Sequence, residues 1–235
     1  MRLDKFLSEA GIGTRSELKK IIAKGLISVN GTIIKQPAFK VLEDKDQICY
    51  QNEPVIYKKY IYYMLNKPAG VLSATSDSKD PTVLDLIADS KRDLFPVGRL
   101  DKDTEGLLII TDDGALAHNL LSPKKHVPKV YYVKVDHALL DELPEVFAKG
   151  LKINDEFTAL PATLKILPSA DEALITITEG KFHQVKRMFQ KVGYKVVYLK
   201  RMQMGALTLD ETLAPGEYRE LSREELILLS ESENV

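Results

Sequence analysis

An α+β architecture in two unequal parts is what this sequence predicts, and three observations carry that reading. Stretches rich in β-forming residues alternate irregularly with helical runs, which favours a mixed, mostly antiparallel sheet flanked by helices over a doubly wound parallel one. The polar, aperiodic segment QNEPVIYKKY at 51–60 separates a short first part from a longer second part. With 235 residues and 44% hydrophobic content, the chain holds enough apolar material for one large core and one small one.

The elements follow in order. Leu3, Phe6, Leu7 and Ala10 share one helical face, and Gly11 ends that helix. Thr14 stands three residues before Glu17 and ahead of Leu18, Ile21 and Ile22, the pattern of a capping box opening a second helix that Gly25 closes. Asn30-Gly31 lies between two β-rich runs in LISVNGTII and predicts a hairpin with a type I′ turn, with a further strand around Ile48. In the second part, strands are expected at Tyr60–Leu65, Leu107–Thr111, Val130–Val135, Leu174–Thr178 and Val196–Leu199, and helices at 82–88, 114–121, 138–149 and 183–192. The domains are expected to span 1–57 and 58–235.

Composition excludes several classes. The single cysteine, Cys49, allows no internal disulfide, and no Cys or His pair has zinc-ligand spacing. MRLDKFLSEAG is charged from its second residue, and no apolar run reaches signal-peptide or membrane-spanning length. An unprocessed, cytoplasmic protein away from membranes is expected. The formal net charge of −1 conceals two basic segments. Residues 1–40 carry eight Lys or Arg against three acids, and residues 179–201 carry seven against Glu179 alone, while the last 26 residues are strongly acidic. Arg15, Lys19 and Lys20 fall on the outer side of the second helix. Such asymmetry points to a polyanion partner or to solvated helix faces.

The densest concentration of polar chemistry is GRLDKDTEGLLIITDDG at 98–114. Gly98 and Gly106 bracket a loop carrying Arg99, Asp101, Asp103, Thr104 and Glu105 directly before an apolar strand. So much charge at the edge of a buried strand suits either a solvated turn or a functional loop. No Ser sits in a nucleophile elbow, and the four histidines are scattered, so a hydrolase triad has little support.

GRLDKDTEGLL resembles the catalytic signature of the pseudouridine synthases that modify ribosomal RNA. MLNKPAG at 64–70, PKVYYV at 128–133 and EGKFHQVKRMF at 179–189 resemble further blocks of the same family, in the order and approximate spacing of its small-subunit (RsuA) branch, whose founding member acts on 16S ribosomal RNA. RLDKFLSEAGIGTRSELKKIIAKGLISVNG resembles the small alpha-L RNA-binding domain of a ribosomal small-subunit protein. The resemblance runs from residue 1 to about 229. It implies an alpha-L RNA-binding domain followed by a pseudouridine synthase domain.

That resemblance implies a site. Asp101 becomes the catalytic carboxylate, Lys186 its cationic partner, Tyr131 the aromatic surface for an extruded base and Val185 an apolar floor beside it. Tyr132 is the competing choice, since neighbours on a strand face opposite ways. Arg99 is expected to fill the gap left by the flipped nucleotide, with a phosphate contact or a salt bridge to Glu105 as the plainer alternatives. Lys181, Arg187 and Lys191, with Arg15, Lys19 and Lys20, are expected to meet phosphates, which position RNA without reading its sequence. His183 is expected to support the site rather than titrate in it. The isomerisation needs no cofactor and no metal. The implied partner is small-subunit ribosomal RNA or an assembly intermediate, bound by a monomer. The rival readings are an enzyme of 23S ribosomal RNA and a non-catalytic ribosome-assembly protein.

Overall fold

The computed structural model describes residues 1–43, 45–88 and 93–231. The chain divides into two compact units, Met1–Lys59 and Tyr60–Val235.

The first unit contains helices α1 (Leu3–Glu9) and α2 (Arg15–Ala23) and strands β1 (Ile27–Val29), β2 (Thr32–Ile33), β3 (Ile48–Tyr50) and β4 (Glu53–Pro54). The strands form an antiparallel sheet in the order β2-β1-β3-β4. Thr14 and Glu17 make the reciprocal capping box at the start of α2. Asn30 and Gly31 both adopt positive φ, 51° and 79°, as a type I′ turn requires. Leu3, Phe6 and Leu7 of α1 pack with Leu18 and Ile22 of α2 against Ile27, Val29 and Ile48, so the small core forms where two helical stripes meet one sheet face.

The second unit is built on one large sheet. Its elements are β5 (Tyr62–Lys67), β6 (Phe95–Pro96), β7 (Glu105–Thr111), α3 (Gly114–Leu121), β8 (Lys129–Val135), α4 (Leu143–Ala148), β9 (Leu151–Lys152), β10 (Thr158–Ala159), β11 (Thr163–Ile166), β12 (Glu172–Ile177), α5 (Gln184–Lys191), β13 (Val196–Met204), β14 (Leu207–Thr208), β15 (Tyr218–Glu220) and α6 (Arg223–Glu231). The sheet runs β11-β12-β8-β13-β7-β5-β15, with β14 beside β13 and β6 beside β7. Only the contact of β13 with β7 is parallel among the pairings of described strands, giving the mixed, mostly antiparallel sheet expected.

Burial along the strands follows which faces are covered. Leu108 and Ile110 of β7 enter one core, Leu107 and Ile109 the other, so this central strand reads as a continuous apolar run. In β8 and β12 only alternate residues are buried: Tyr131, Val133 and Val135 pack with Ala173, Ile175 and Ile177 beneath Val185, Met188 and Phe189 of α5. α3 and α6 contribute Ala117, Leu120 and Leu229 to the core on the opposite face.

Two helical expectations need correction. The run at 138–149 is helical only over Leu143–Ala148, because Pro144 lies in the first turn and disfavours helix before it. The run at 82–88 is a 3-10 turn, Val83–Leu86, after which Ile87 returns to extended conformation. One turn without a long apolar stripe does not propagate. The short strands β9, β10, β11 and β15 and the helix α6 were not anticipated.

The parallel contact depends on Gly106, whose φ is +102°. A Cβ there would strike the carbonyl oxygen of Arg201 and lie 2.7 Å from its nitrogen. Both atoms are backbone and cannot rotate away. Gly106→Ala is therefore expected to cost about 3 kcal/mol or more, from left-handed strain plus separation of β7 from β13. A urea midpoint equal to that of the wild type would contradict this account.

Candidate active site

The loop between β6 and β7 is shaped from below by a lysine. Lys67, at the end of β5, is fully buried. Its ammonium donates to the carbonyl oxygens of Pro68 (3.0 Å), Asp101 (3.1 Å), Lys102 (3.3 Å) and Thr104 (2.8 Å). The Gly70 amide donates to the Lys102 carbonyl, and the Thr104 amide to that of Asp101. Ser73 donates to the Leu100 carbonyl and accepts from the Leu100 amide, pinning the buried Leu100 beside Asp101. Burial pushes Lys67 down to about 8, against the attraction of Asp103, Asp101 and Glu105. Residues 67–73 therefore fix the backbone that carries Asp101.

α5 supplies the opposing charge. The Lys186 ammonium lies 3.1 Å from the Asp101 carboxylate and also meets Asp103. Burial opposes the charge on Lys186, but its hydrogen bonds to Asp103 and Asp101 prevail, and its pKa lies above the ordinary lysine value. The same hydrogen bond holds the Asp103 carboxyl below the usual range despite partial desolvation. Asp101 and Lys186 keep 25% and 24% of their side chains exposed, so the pair is shielded yet reachable. His183 approaches from the third side, its Nε2 3.6 Å from Asp101.

The turn before α5 is held by Gln184, which is buried. Its side-chain carbonyl accepts from the Lys181 amide (2.9 Å), and its amide group donates to Glu179 (2.7 Å). His183 adopts left-handed backbone geometry, φ 51°, uncommon for a residue with a side chain.

Asp101 opens onto a pocket walled by Tyr131, Val185, Ile177 and Leu199 and rimmed by Arg99, Lys181 and His183. Asp101, Lys186, Tyr131, Val185, Arg99 and Lys181 thus come together from three separate stretches of chain. Tyr131 faces the pocket side of β8, whereas Tyr132 faces the other side, where its ring meets Tyr198 edge-on. Thr104 also lines the pocket, and its buried hydroxyl has no partner among the described residues. An unsatisfied buried hydroxyl costs about 1–3 kcal/mol, so it is a hydrogen-bonding group left over for a ligand.

Other residues fall elsewhere. Arg99 is exposed and does not pair with Glu105, whose carboxylate accepts from the Tyr198 hydroxyl at 2.7 Å. That excludes one of the plainer alternatives for Arg99. The Arg187 guanidinium lies over the Phe157 ring, 5.4 Å from its centroid, rather than lining the pocket. Arg201 and Lys129 are buried, with Arg201 donating to the Leu107 carbonyl and Lys129 to that of Val127. Arg15, Lys19 and Lys20 stand exposed on α2 of the first unit. Sequence reasoning missed Lys67, Ser73, Thr104 and Gln184. Each lies inside or beside a quoted motif, and a lysine closing an otherwise apolar strand was the one visible signal. Among the described residues no group of three or more His, Cys, Asp or Glu gathers as a metal site, and no helix is long and apolar enough to cross a membrane.

Comparison with known proteins adds the following. Residues 61–191 match the family model described as RNA pseudouridylate synthase, and residues 1–48 match the S4 domain. An uncharacterised RNA pseudouridine synthase of Bacillus subtilis is 48% identical over 98% of this chain and 99% of its own length. The ribosomal small subunit pseudouridine synthases A of Salmonella typhimurium and Escherichia coli are 42% and 40% identical, each over 96% of this chain and 98% of theirs. A crystal structure of a pseudouridylate synthase superposes with a TM-score of 0.69 at 36% identity, covering 97% of this chain and 99% of that one.

Lys67→Met would take their donor from the Pro68 and Thr104 carbonyls, leave those of Asp101 and Lys102 with one backbone amide each, and is expected to destabilise the chain by about 3 kcal/mol. Because Lys67 in the folded chain titrates near 8, below the free value of 10.5, the unfolded chain binds the extra proton between those values. Stability from this group is lowest below pH 8, where the buried charge stands at full cost, and improves as pH rises towards 10.5. In urea titrations the gap between wild type and Lys67→Met should widen across that interval, by at most about 1.4 kcal/mol per pH unit. A constant or shrinking gap would show that the four carbonyls offset the burial.

Proposed function

Because this chain belongs to the RNA pseudouridylate synthase family, and is thereby an RNA isomerase with an N-terminal S4 domain, we propose that it converts one uridine of 16S ribosomal RNA to pseudouridine with Asp101 as the catalytic carboxylate. The observation that carries the proposal is the contact of Asp101 with Lys186 at 3.1 Å at the mouth of a pocket walled by Tyr131. The choice of small-subunit RNA is supported by relatives named for that substrate, similar across nearly the whole of both chains.

In the reaction the bond from uracil nitrogen to the ribose anomeric carbon breaks, the base turns, and a ring carbon takes the nitrogen's place. The proton on that ring carbon is released and the freed ring nitrogen takes one up, so no atoms or electrons are gained or lost overall. An ionised Asp101 serves either by attacking the anomeric carbon or by removing the neighbouring ribose proton. Lys186, 3.1 Å away, balances the charge of the carboxylate and holds it in position. A base inside a duplex is out of reach, so the target nucleotide leaves the stack and lies against the Tyr131 ring, with Val185 beside it. Arg99, exposed on the rim and without an ion pair among the described residues, is free to occupy the space the nucleotide vacates. Arg15, Lys19 and Lys20 on the S4 domain, with Lys181 and Lys191, hold phosphates. Arg187 is engaged with Phe157 and contributes only its charge.

Asp101→Asn keeps the side chain's size and removes its charge. Tritium release from 16S ribosomal RNA labelled at uracil carbon 5 should fall to background while RNA affinity stays within a few-fold; undiminished release would refute the mechanism. With those five cations on phosphates, affinity is expected to drop by roughly a few hundredfold between about 50 and 200 mM salt. Binding measured by filter retention that proved flat over this span would remove the phosphate contacts from the account.

A further inference from the structure

Phe182, between β12 and α5, has no part in the reaction scheme, yet it is 75% exposed and stands between Lys181 and His183, both of which line the pocket. One face of its ring stacks on the His183 imidazole, with centroids 3.7 Å apart and planes at 20°. The other face is open to solvent. The pair is held firmly, since Gln184 ties the turn at Lys181 and Glu179, and His183 reaches to 3.6 Å from Asp101. Two stacked rings therefore lead outward from the catalytic carboxylate and end in a bare aromatic face. Lys181 stands next to it in the chain and lines the same pocket. Aromatic faces beside cations are how proteins hold single-stranded nucleic acid, because every base offers a flat face to stack on.

We propose that the outer face of Phe182 stacks the unpaired base adjacent to the target uridine while the uridine itself occupies the pocket. This inference rests on the RNA isomerase reading above. When one nucleotide everts, its neighbour loses a stacking partner on that side. Arg99 fills the gap within the strand, and Phe182 stacks the neighbour where it turns out from that gap, lowering the cost of opening the strand at the site of reaction. The ring is indifferent to base identity, so the platform contributes affinity and placement rather than sequence choice.

The chain contains no tryptophan, so full-length Phe182→Trp places a single indole beside His183, excited selectively over the tyrosines. Its emission should be quenched by a 16S ribosomal RNA transcript and by single-stranded poly(U), and left unchanged by a fully paired RNA duplex. In turnover assays with the transcript, Phe182→Ala is expected to raise KM about tenfold with a smaller change in kcat, and Phe182→Trp to restore KM to within twofold. Emission unaffected by single strands, equal quenching by the duplex, or an unaltered KM in Phe182→Ala would overturn the platform. Tritium release by the wild type is scored separately. Quenching by poly(U) without release from the transcript would support the platform while refuting the substrate assignment.

Discussion

A positive charge buried beneath a loop is the constraint on which the site depends. An ammonium taken out of water is costly unless its hydrogen bonds are met, and Lys67 meets them with four main-chain carbonyls rather than with a carboxylate. Three of those carbonyls belong to Asp101, Lys102 and Thr104, so satisfying the lysine dictates the path of the loop. A carboxylate used in place of the carbonyls would neutralise the charge without specifying a backbone conformation. The loop's side chains are thereby left free to face the pocket, where Lys186 adds a second cation to the field around Asp101.

The sheet performs the complementary task. Alternation along β8 sends Tyr131 to the pocket and Tyr132 away, and a slip of one residue would exchange a buried aromatic wall for one edged against Tyr198. Covering both faces of β7 while leaving half of β8 and β12 uncovered makes the same sheet a rigid core at one side and a solvated surface at the other. Asp101 thus sits just ahead of a strand buried on both faces, which fixes the position of the loop that carries it.

Much of this was legible from residues alone. The capping box at Thr14, the Asn30-Gly31 turn and the strands around Leu107, Val130 and Leu174 rest on local spacing, which tertiary packing does not alter. Pro144 is equally visible: it lacks the amide that a helix running through it would need, so α4 starts beside it rather than at 138. The two-residue strands lie below the length at which alternation can be detected. Of the site, the motif residues Asp101, Tyr131, Val185 and Lys186 could be named. Lys67 could not be assigned a task, because its partners are main-chain oxygens that carry no sequence identity. Counting charge in the basic run at 179–201 likewise overstated what RNA can reach. Arg201 is spent on an internal carbonyl and Lys186 on two carboxylates.

The parallel pairing of β13 with β7 bears on when the enzyme can first work. Tyr131 lies on β8 and Asp101 just ahead of β7, and the strand between β8 and β7 is β13, Val196–Met204, from the last fifth of the chain. Until those residues have left the ribosomal tunnel, the two halves of the pocket have no common scaffold. A nascent chain therefore carries its RNA-binding module, complete by Lys59, long before it carries a catalyst.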